Sequence, residues 1–355
     1  MCSSDLFEHM MFQGSENVPK AGHFQYIMKA GGTMNGTTSS ERTNYFETLP
    51  ASELPLALWL ESDRMRSLAV TQENLDNQRE AVKEEKRLRY DNQPYGQIFD
   101  LISEMIYKNF ANAHSTIGSM DDLDDATVED VQEFFRIYYA PNNAVLTLSG
   151  SFETKTAKEL IEKFFGDIPS QALPPALDVT EPVEVASNYK EWEDKLAPFP
   201  AFLIGWKIPQ RRTPEFNALY LAGKTLYDGD SSRLYQKLVK GEESIIQLFG
   251  FTDERRGPSS IFVGAIPKPD KDLSKIRDTI MGLFRGFCNF YFFHFRSPFL
   301  LTAFPAVLLR HTELFNRCNY ETVYQEDFLF ASMKQGVAFK ILMCYVLPMR
   351  CEVHL

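Results

Sequence analysis

Cysteine is nearly missing from this chain. Its five cysteines are Cys2, Cys288, Cys318, Cys344 and Cys351, so nothing between Ser3 and Phe287 can form a disulfide. A body without thiols needs no covalent staples and suits a reducing or an oxidising compartment. Basic charge is scarce as well: 37 Lys plus Arg stand against 48 Asp plus Glu, a formal charge of −11. With no basic stripe to release counterions from a phosphate backbone, no nucleic-acid partner is expected. Long apolar runs are also lacking. The best candidate, 287–309, is interrupted by His294, Arg296, Pro298 and Pro305, so no membrane span is expected. Met1 to Leu6 offers neither a basic region nor a sustained apolar run, and no signal peptide is read there. A glycine-rich phosphate loop is absent too.

What is present is an ordinary globular composition, 44% hydrophobic and 24% charged over 355 residues, about two domains' worth of chain. Asp5 to Phe12 reads as a buried helix closed by Gly14-Ser15. Ala30 to Thr38 and Arg42 to Leu49 read as an antiparallel pair. Helices follow at Leu56 to Val70, from an N-cap at Thr71 to Tyr90, at Tyr95 to Tyr107 and at Val128 to Tyr139, the last capped by the acidic run Asp121 to Asp125. Asn143 to Ser149 alternates like a strand, and Thr154 to Phe165 is helical again. Proline-rich 168–185 suits a linker. Beyond it come a strand (Ala201 to Trp206), a helix (Glu215 to Leu238), a strand pair (Ile245 to Ile266) and a helix (Lys271 to Phe284), in an order like the first. The expected fold class is therefore α+β: two similar domains of antiparallel sheet plus helices, at 1–172 and 173–284, the second incomplete. Residues 285–355 form a Phe- and Cys-rich tail that need not belong to the same fold.

Two acidic residues are anomalous. Glu8 lies among Leu6, Phe7, Met10, Met11 and Phe12, and an unpaired buried carboxylate costs several kcal/mol unless it is neutralised or paired. Residues i and i+4 share a helix face, so a ligand at position 5 together with His9 would grip one metal, with Glu8 beside them. The alternative is a Glu-His hydrogen bond inside a core. Glu85 is the second: Leu75, Gln78, Val82 and Glu85 continue one apolar stripe, whereas Glu84 is rotated roughly 100° away. The alternative there is a solvated charge ladder. His23 and His114 have no chelating partner nearby in sequence, and Arg255-Arg256 reads as a turn.

Phe7-Glu-His-Met-Met-Phe12, Gly31-Gly32 with Asn35, Arg42-Thr-Asn-Tyr45, Leu58-Trp-Leu-Glu-Ser-Asp-Arg-Met-Arg66 and Asn77 to Glu85 together resemble the pitrilysin/insulinase family of zinc peptidases. So do His114-Ser-Thr-Ile-Gly118, Tyr138 to Val145 and Ser231-Ser-Arg-Leu-Tyr235, and the likeness runs from about Phe7 to Leu283. The family's mark is the inverted signature HxxEH with a distant third glutamate. The resemblance implies Zn2+ as cofactor, Glu8 as the catalytic base, and His9 and Glu85 as metal ligands. It also implies an edge strand, Met34 to Thr38, that pairs with an extended peptide substrate through Asn35, Gly36 and Thr37. The bland reading of that stretch is a hairpin edge with Gly31-Gly32 as its turn. Arg233 corresponds to an arginine linked to substrate binding. Gln78 stands where some relatives carry another glutamate.

Asp5 departs from the pattern, because the signature has its first histidine there. Aspartate oxygen can bind zinc, but the side chain is shorter. Cys2-Ser-Ser-Asp-Leu6 can be encoded by the end of a sequencing adapter, so the expectation is that Met1 to Leu6 replaced the histidine and what lay upstream. The tail similarly resembles readthrough or a frameshift, and poor solubility is expected of the whole chain. The implied activity is that of a metalloendopeptidase enclosing peptides between this half and a second half, as homodimer or heterodimer. A non-catalytic subunit that holds substrate, and an acidic interaction module unrelated to peptidases, are the competing readings.

Overall fold

Tyr45, Glu47 and Leu49 alternate along one extended run, and all three are sealed from solvent; the first sheet is built around that strand. The computed structural model describes residues 3–182, 188–295 and 338–346. In chain order the first lobe contains α1 (Ser4–Met10), α2 (Gly22–Lys29), β1 (Thr33–Ser39), β2 (Arg42–Pro50), α3 (Leu54–Ser67), α4 (Gln72–Lys86), α5 (Ile98–Ile106) and α6 (Phe110–Ala113). It continues through α7 (Met120–Asp125), α8 (Val128–Tyr138), β3 (Ala144–Gly150) and α9 (Thr154–Phe165). The second lobe contains β4 (Phe202–Ile208), α10 (Pro214–Tyr227), β5 (Ile245–Asp253), β6 (Ser259–Pro267) and α11 (Leu273–Phe295), and β7 (Ala338–Val346) follows. This is an α+β architecture with two antiparallel sheets, as expected. One has the order β1-β2-β7-β3 and the other β4-β6-β5. Among the described residues no helix is long and apolar enough to cross a membrane.

The helix that opens the chain is too short to persist alone, because a single turn or two cannot repay nucleation. Packing holds it. Leu6, Phe7 and Met10 are fully buried, and the Phe7 ring lies 4.4 Å from that of Tyr139 and 4.9 Å from that of Phe134. Side chains of this size contribute about 1.5–3 kcal/mol each when sealed from water. Ser3 caps the helix by accepting from Leu6 N at 3.1 Å, and the Ser4 and Asp5 amides donate to Thr116 O. Leu75 and Val82 of α4 enter the same core, which fixes the two helices against each other.

Several elements differ from the sequence reading. The acidic run does not cap α8: Met120–Asp125 is a helix of its own, boxed by Ser119 and Asp122, and α8 is boxed by Thr127 and Asp130. Both helices thereby satisfy their first amides locally. Gly31-Gly32 is not the hairpin turn. It precedes β1, and the strands reverse at Ser40-Glu41. The expected helix from Glu215 to Leu238 stops at Tyr227 and resumes as a π-helical stretch, Tyr235–Gly241. α2 was not anticipated. The stretch read as a linker has no regular structure over 168–182, yet it is fixed: Glu181 accepts from the amides of Lys108 (2.9 Å) and Asn109 (3.0 Å).

The tail differs most. α11 runs past Phe284 to Phe295, and β7, far beyond it, enters the first lobe's sheet between β2 and β3. Residues 296–337 and 347–355, which carry the rest of the tail expectation, lie outside the described residues.

Candidate metal centre

α1 sets Asp5, Glu8 and His9 on one side by its i, i+3, i+4 spacing, with Leu6, Phe7 and Met10 in the core on the other. On α4 the Thr71 hydroxyl accepts from Asn74 N, and Leu75, Gln78 and Val82 are buried. Glu85 continues that stripe, its side chain 20% exposed against 57% for Glu84, so the inward phase read from the sequence is found. The helices meet so that His9 Nε2 lies 3.0 Å from Glu85 Oε2, across 76 residues of chain. Arg89, one turn further, holds the other oxygen of Glu85 at 2.7 Å.

β1 is an outer strand of its sheet and passes over Glu8. The Thr38 hydroxyl donates to Glu8 Oε2, and the Thr43 hydroxyl lies 3.0 Å from that of Thr38. A Cβ on Gly36 would stand 2.8 Å from Glu8 Oε1, so glycine is what lets the strand come this close. Residues 36 and 38 therefore face the carboxylate, and the strand's period of two turns Asn35 and Thr37 to the opposite face. Asn35 Oδ1 accepts from Gly36 N at 2.9 Å, and the Thr37 hydroxyl donates to Asn44 Oδ1 at 2.6 Å.

The electrostatics are those of crowded acid groups. Burial, reinforced by the charges of Glu8 and Glu85, pushes Asp5 up to about 7. Burial also raises Glu8, against the opposing pull of the Thr38 hydrogen bond and His9. Asp5 Oδ1 is buried with no hydrogen-bond partner. Three carboxylates around one imidazole repel one another until a cation joins them, and a nitrogen-plus-oxygen donor set suits zinc. His9 and Glu85 are already in contact and could hold it. Asp5 stands off: its oxygens do not close a tight triple with them.

Not every expected residue joins this group. Arg233 is exposed in the second lobe, just before the π-helical stretch Tyr235–Gly241. Gln78 is buried and donates to Asn77 Oδ1. Arg255 does lie in a turn, but it is buried, stacked over Tyr107 and paired with Asp253 at 2.6 Å.

Against these helices, residues 3–119 match the insulinase (peptidase family M16) model, and residues 125–291 match the peptidase M16 inactive-domain model. The chain belongs to the M16 peptidase family. It is 27% identical over 290 residues to the zinc protease PqqE of Helicobacter pylori, covering 78% of this chain and 63% of that protein. An uncharacterized zinc protease of Streptomyces coelicolor is 23% identical over 287 residues, covering 77% and 61%. This M16 chain thus spans about three fifths of the length of those relatives. Among solved structures, a Helicobacter pylori protease superposes with a TM-score of 0.75 at 24% identity, over 79% of this chain and 69% of that one. The first half of the periplasmic protease PqqL from Escherichia coli gives 0.61 at 18%, over 80% and 62%. These two likenesses bear on the fold.

One cluster escaped the sequence reading. His23 of α2, Glu47 of β2 and Glu61 of α3 meet in the interior with their side chains at most 4% exposed. The available signal was parity, since Glu47 shares the buried face of Tyr45 and Leu49. Burial, with help from the Arg64 charge, pushes His23 down to about 3, and burial pushes Glu61 up to about 8. A depressed histidine contributes stability above its unfolded value of about 6.5 and loses it as pH falls. A raised carboxyl does the reverse: its contribution is complete below its ordinary value and fades as pH rises through the folded one. Between about 6.5 and 8 the histidine no longer contributes a slope, and Glu61 acts in the same direction as the other carboxyls that burial raises, Glu47 and Asp5. Urea-melt stability of the metal-free chain is therefore expected to fall across that window, and Glu61→Gln should flatten the fall. A rising profile in the parent chain would contradict this.

Proposed function

We propose that this M16 chain is one half of a zinc-dependent metalloendopeptidase that hydrolyses peptides or short unfolded segments. The 3.0 Å approach of His9 and Glu85 carries the reading. In it, His9 and Glu85 hold the zinc, which when bound supplies Lewis acidity toward the scissile carbonyl and acidity to a water. Glu8 takes a proton from the attacking water and hands it to the departing amine. A base must be both available and able to give the proton back, and a carboxyl raised by burial but steadied by the Thr38 hydrogen bond meets that demand. The main chain of β1 at Asn35, Gly36 and Thr37 receives an extended substrate as an added strand, which favours tolerance of sequence. Arg233 contributes to substrate binding from the second lobe, and a second half, as homodimer or heterodimer partner, closes over the peptide.

The position of Asp5 favours a second reading, a non-catalytic subunit that holds substrate beside an active partner. Cleavage of a quenched peptide, blocked by a chelator and by Glu8→Gln, separates the two. The enzyme reading also requires His9→Ala to lose about one equivalent of zinc relative to the parent chain. No cleavage and no metal difference would leave only the subunit.

Thr38 offers a finer check in any active background. Removing one hydrogen bond to a charged group is worth roughly 1.5–3 kcal/mol, so Thr38→Val is expected to lower kcat about tenfold or more. KM and zinc content should stay put, and Thr38→Ser should restore the rate. A change in KM alone would mean that the hydroxyl serves substrate binding instead.

A further inference from the structure

Away from α1 and α4, His23, Glu47 and Glu61 bring one nitrogen and two carboxylates to within 4.8 Å of one another, the tightest such grouping among the described residues. We propose that these three side chains form a second divalent-cation site, structural in role, that ties α2 and α3 to β2. It is independent of the peptidase reading.

The geometry is close to what an ion needs. His23 Nε2 lies 3.1 Å from Glu47 Oε1 and 4.0 Å from Glu61 Oε1. A tetrahedral ion with bonds of ~2.0–2.1 Å has ligand-to-ligand edges of roughly 3.3 Å. The first separation is already near that length, the second needs a small side-chain adjustment, and the third, between the two carboxylates, is within 4.8 Å.

Charge points the same way. Two carboxylates share a space closed to solvent with one guanidinium, and Arg64 is committed to Glu61 through Nε at 3.0 Å and through Nη2. Asp63, next to them, is satisfied elsewhere by Ser15 and Asn17. The Glu47 and Glu61 carboxyls are hydrogen-bonded to each other through a retained proton, and Glu47 Oε2 is buried with no donor from any other side chain. A divalent ion would satisfy that oxygen and displace the proton the acid pair otherwise retains. Arg64 would then orient Glu61 from behind, as outer partners of metal ligands do. Three protein ligands leave a tetrahedral ion's fourth position to a water or to a second carboxylate oxygen, and because all three side chains are closed to solvent no substrate can reach it, which is why the role is structural. One imidazole and two carboxylates suit Zn2+ or Mn2+.

The test uses the full chain carrying His9→Ala and Glu85→Gln, which removes the α1–α4 pair. It is stripped with chelator, refolded with Zn2+ alone or Mn2+ alone, desalted and assayed by mass spectrometry of the metal. About one equivalent is expected to remain, with a higher melting temperature than the metal-free form, and Glu47→Gln in the same background should retain less than about a tenth. No retained metal, or retention unchanged by Glu47→Gln, overturns the site. If that variant does not fold, zinc-edge X-ray absorption of the His9→Ala/Glu85→Gln chain decides. A shell with one imidazole and the rest oxygen is expected, and sulfur or several imidazoles would overturn the assignment. Failure of this site leaves the His9 result above untouched, and the reverse also holds.

Discussion

Asp5→His is expected to tighten zinc binding by roughly 100-fold, or ~2.7 kcal/mol, and to raise kcat/KM on a quenched peptide at least in parallel. Three effects act together. The carboxyl at position 5 sits at about 7, so near neutral pH a proton competes with the metal for it. Its side chain is short, and it stops outside the tight contact that His9 and Glu85 make. Removing it also lifts one acidic group away from Glu8 and Glu85, whose mutual repulsion the cluster now carries. An imidazole one helical turn before His9 reaches further and binds as the neutral form. In that background Glu8→Gln should lower kcat by roughly 10²- to 10⁴-fold while leaving zinc in place, because an amide cannot accept the water's proton. Competition titration against a chelator at fixed pH measures the first effect and steady-state kinetics the second. Equal zinc affinity in Asp5→His and the parent would remove α1 from the metal-binding role.

How much of this was legible in the sequence depended on how far apart the contacting residues lie. The i, i+4 pair of α1 and the stripe that ends on Glu85 are local periodicities, and both survive in the structure. Their meeting is tertiary, and it was the resemblance rather than the periodicity that joined them. The His23 cluster had no such help. Its members come from a short helix, a strand and a long helix, and Glu61 looks like half of an ordinary i, i+3 pair with Arg64. Only packing converts that pair into a buried one, with Arg64 over the Tyr45 ring at 4.4 Å. The acidic run 121–125 misled for a different reason: carboxylates at a helix start favour any helix nearby, and here Asp121 and Asp122 serve the helix that contains them. β7 lies nearly 300 residues beyond its neighbour β2, and pairing at that distance leaves no mark in either strand's pattern.

Leu342→Pro is the variant expected to cost the fold most, roughly 2–4 kcal/mol of stability. Leu342 lies mid-strand in β7, opposite Phe46 of β2 on one side and Thr147 of β3 on the other. Proline in a strand bonded along both edges loses a ladder donor and forces its neighbours apart, which is why it is confined to edges and bulges. The damage should spread in a definite direction. β2 carries Tyr45, Glu47 and Leu49 into the core and supports β1, and β1 supplies the Thr38 hydroxyl that holds Glu8. Separating β7 from β2 leaves the buried strand with an open edge, so amide protection at 45–49 should fall before that of β4–β6, whose sheet is separate. A urea melt with residue-resolved hydrogen exchange reads both quantities. An unchanged melt together with full protection at 45–49 would mean that β7 does not support the sheet, and that β2 is held by β1 and the helices alone.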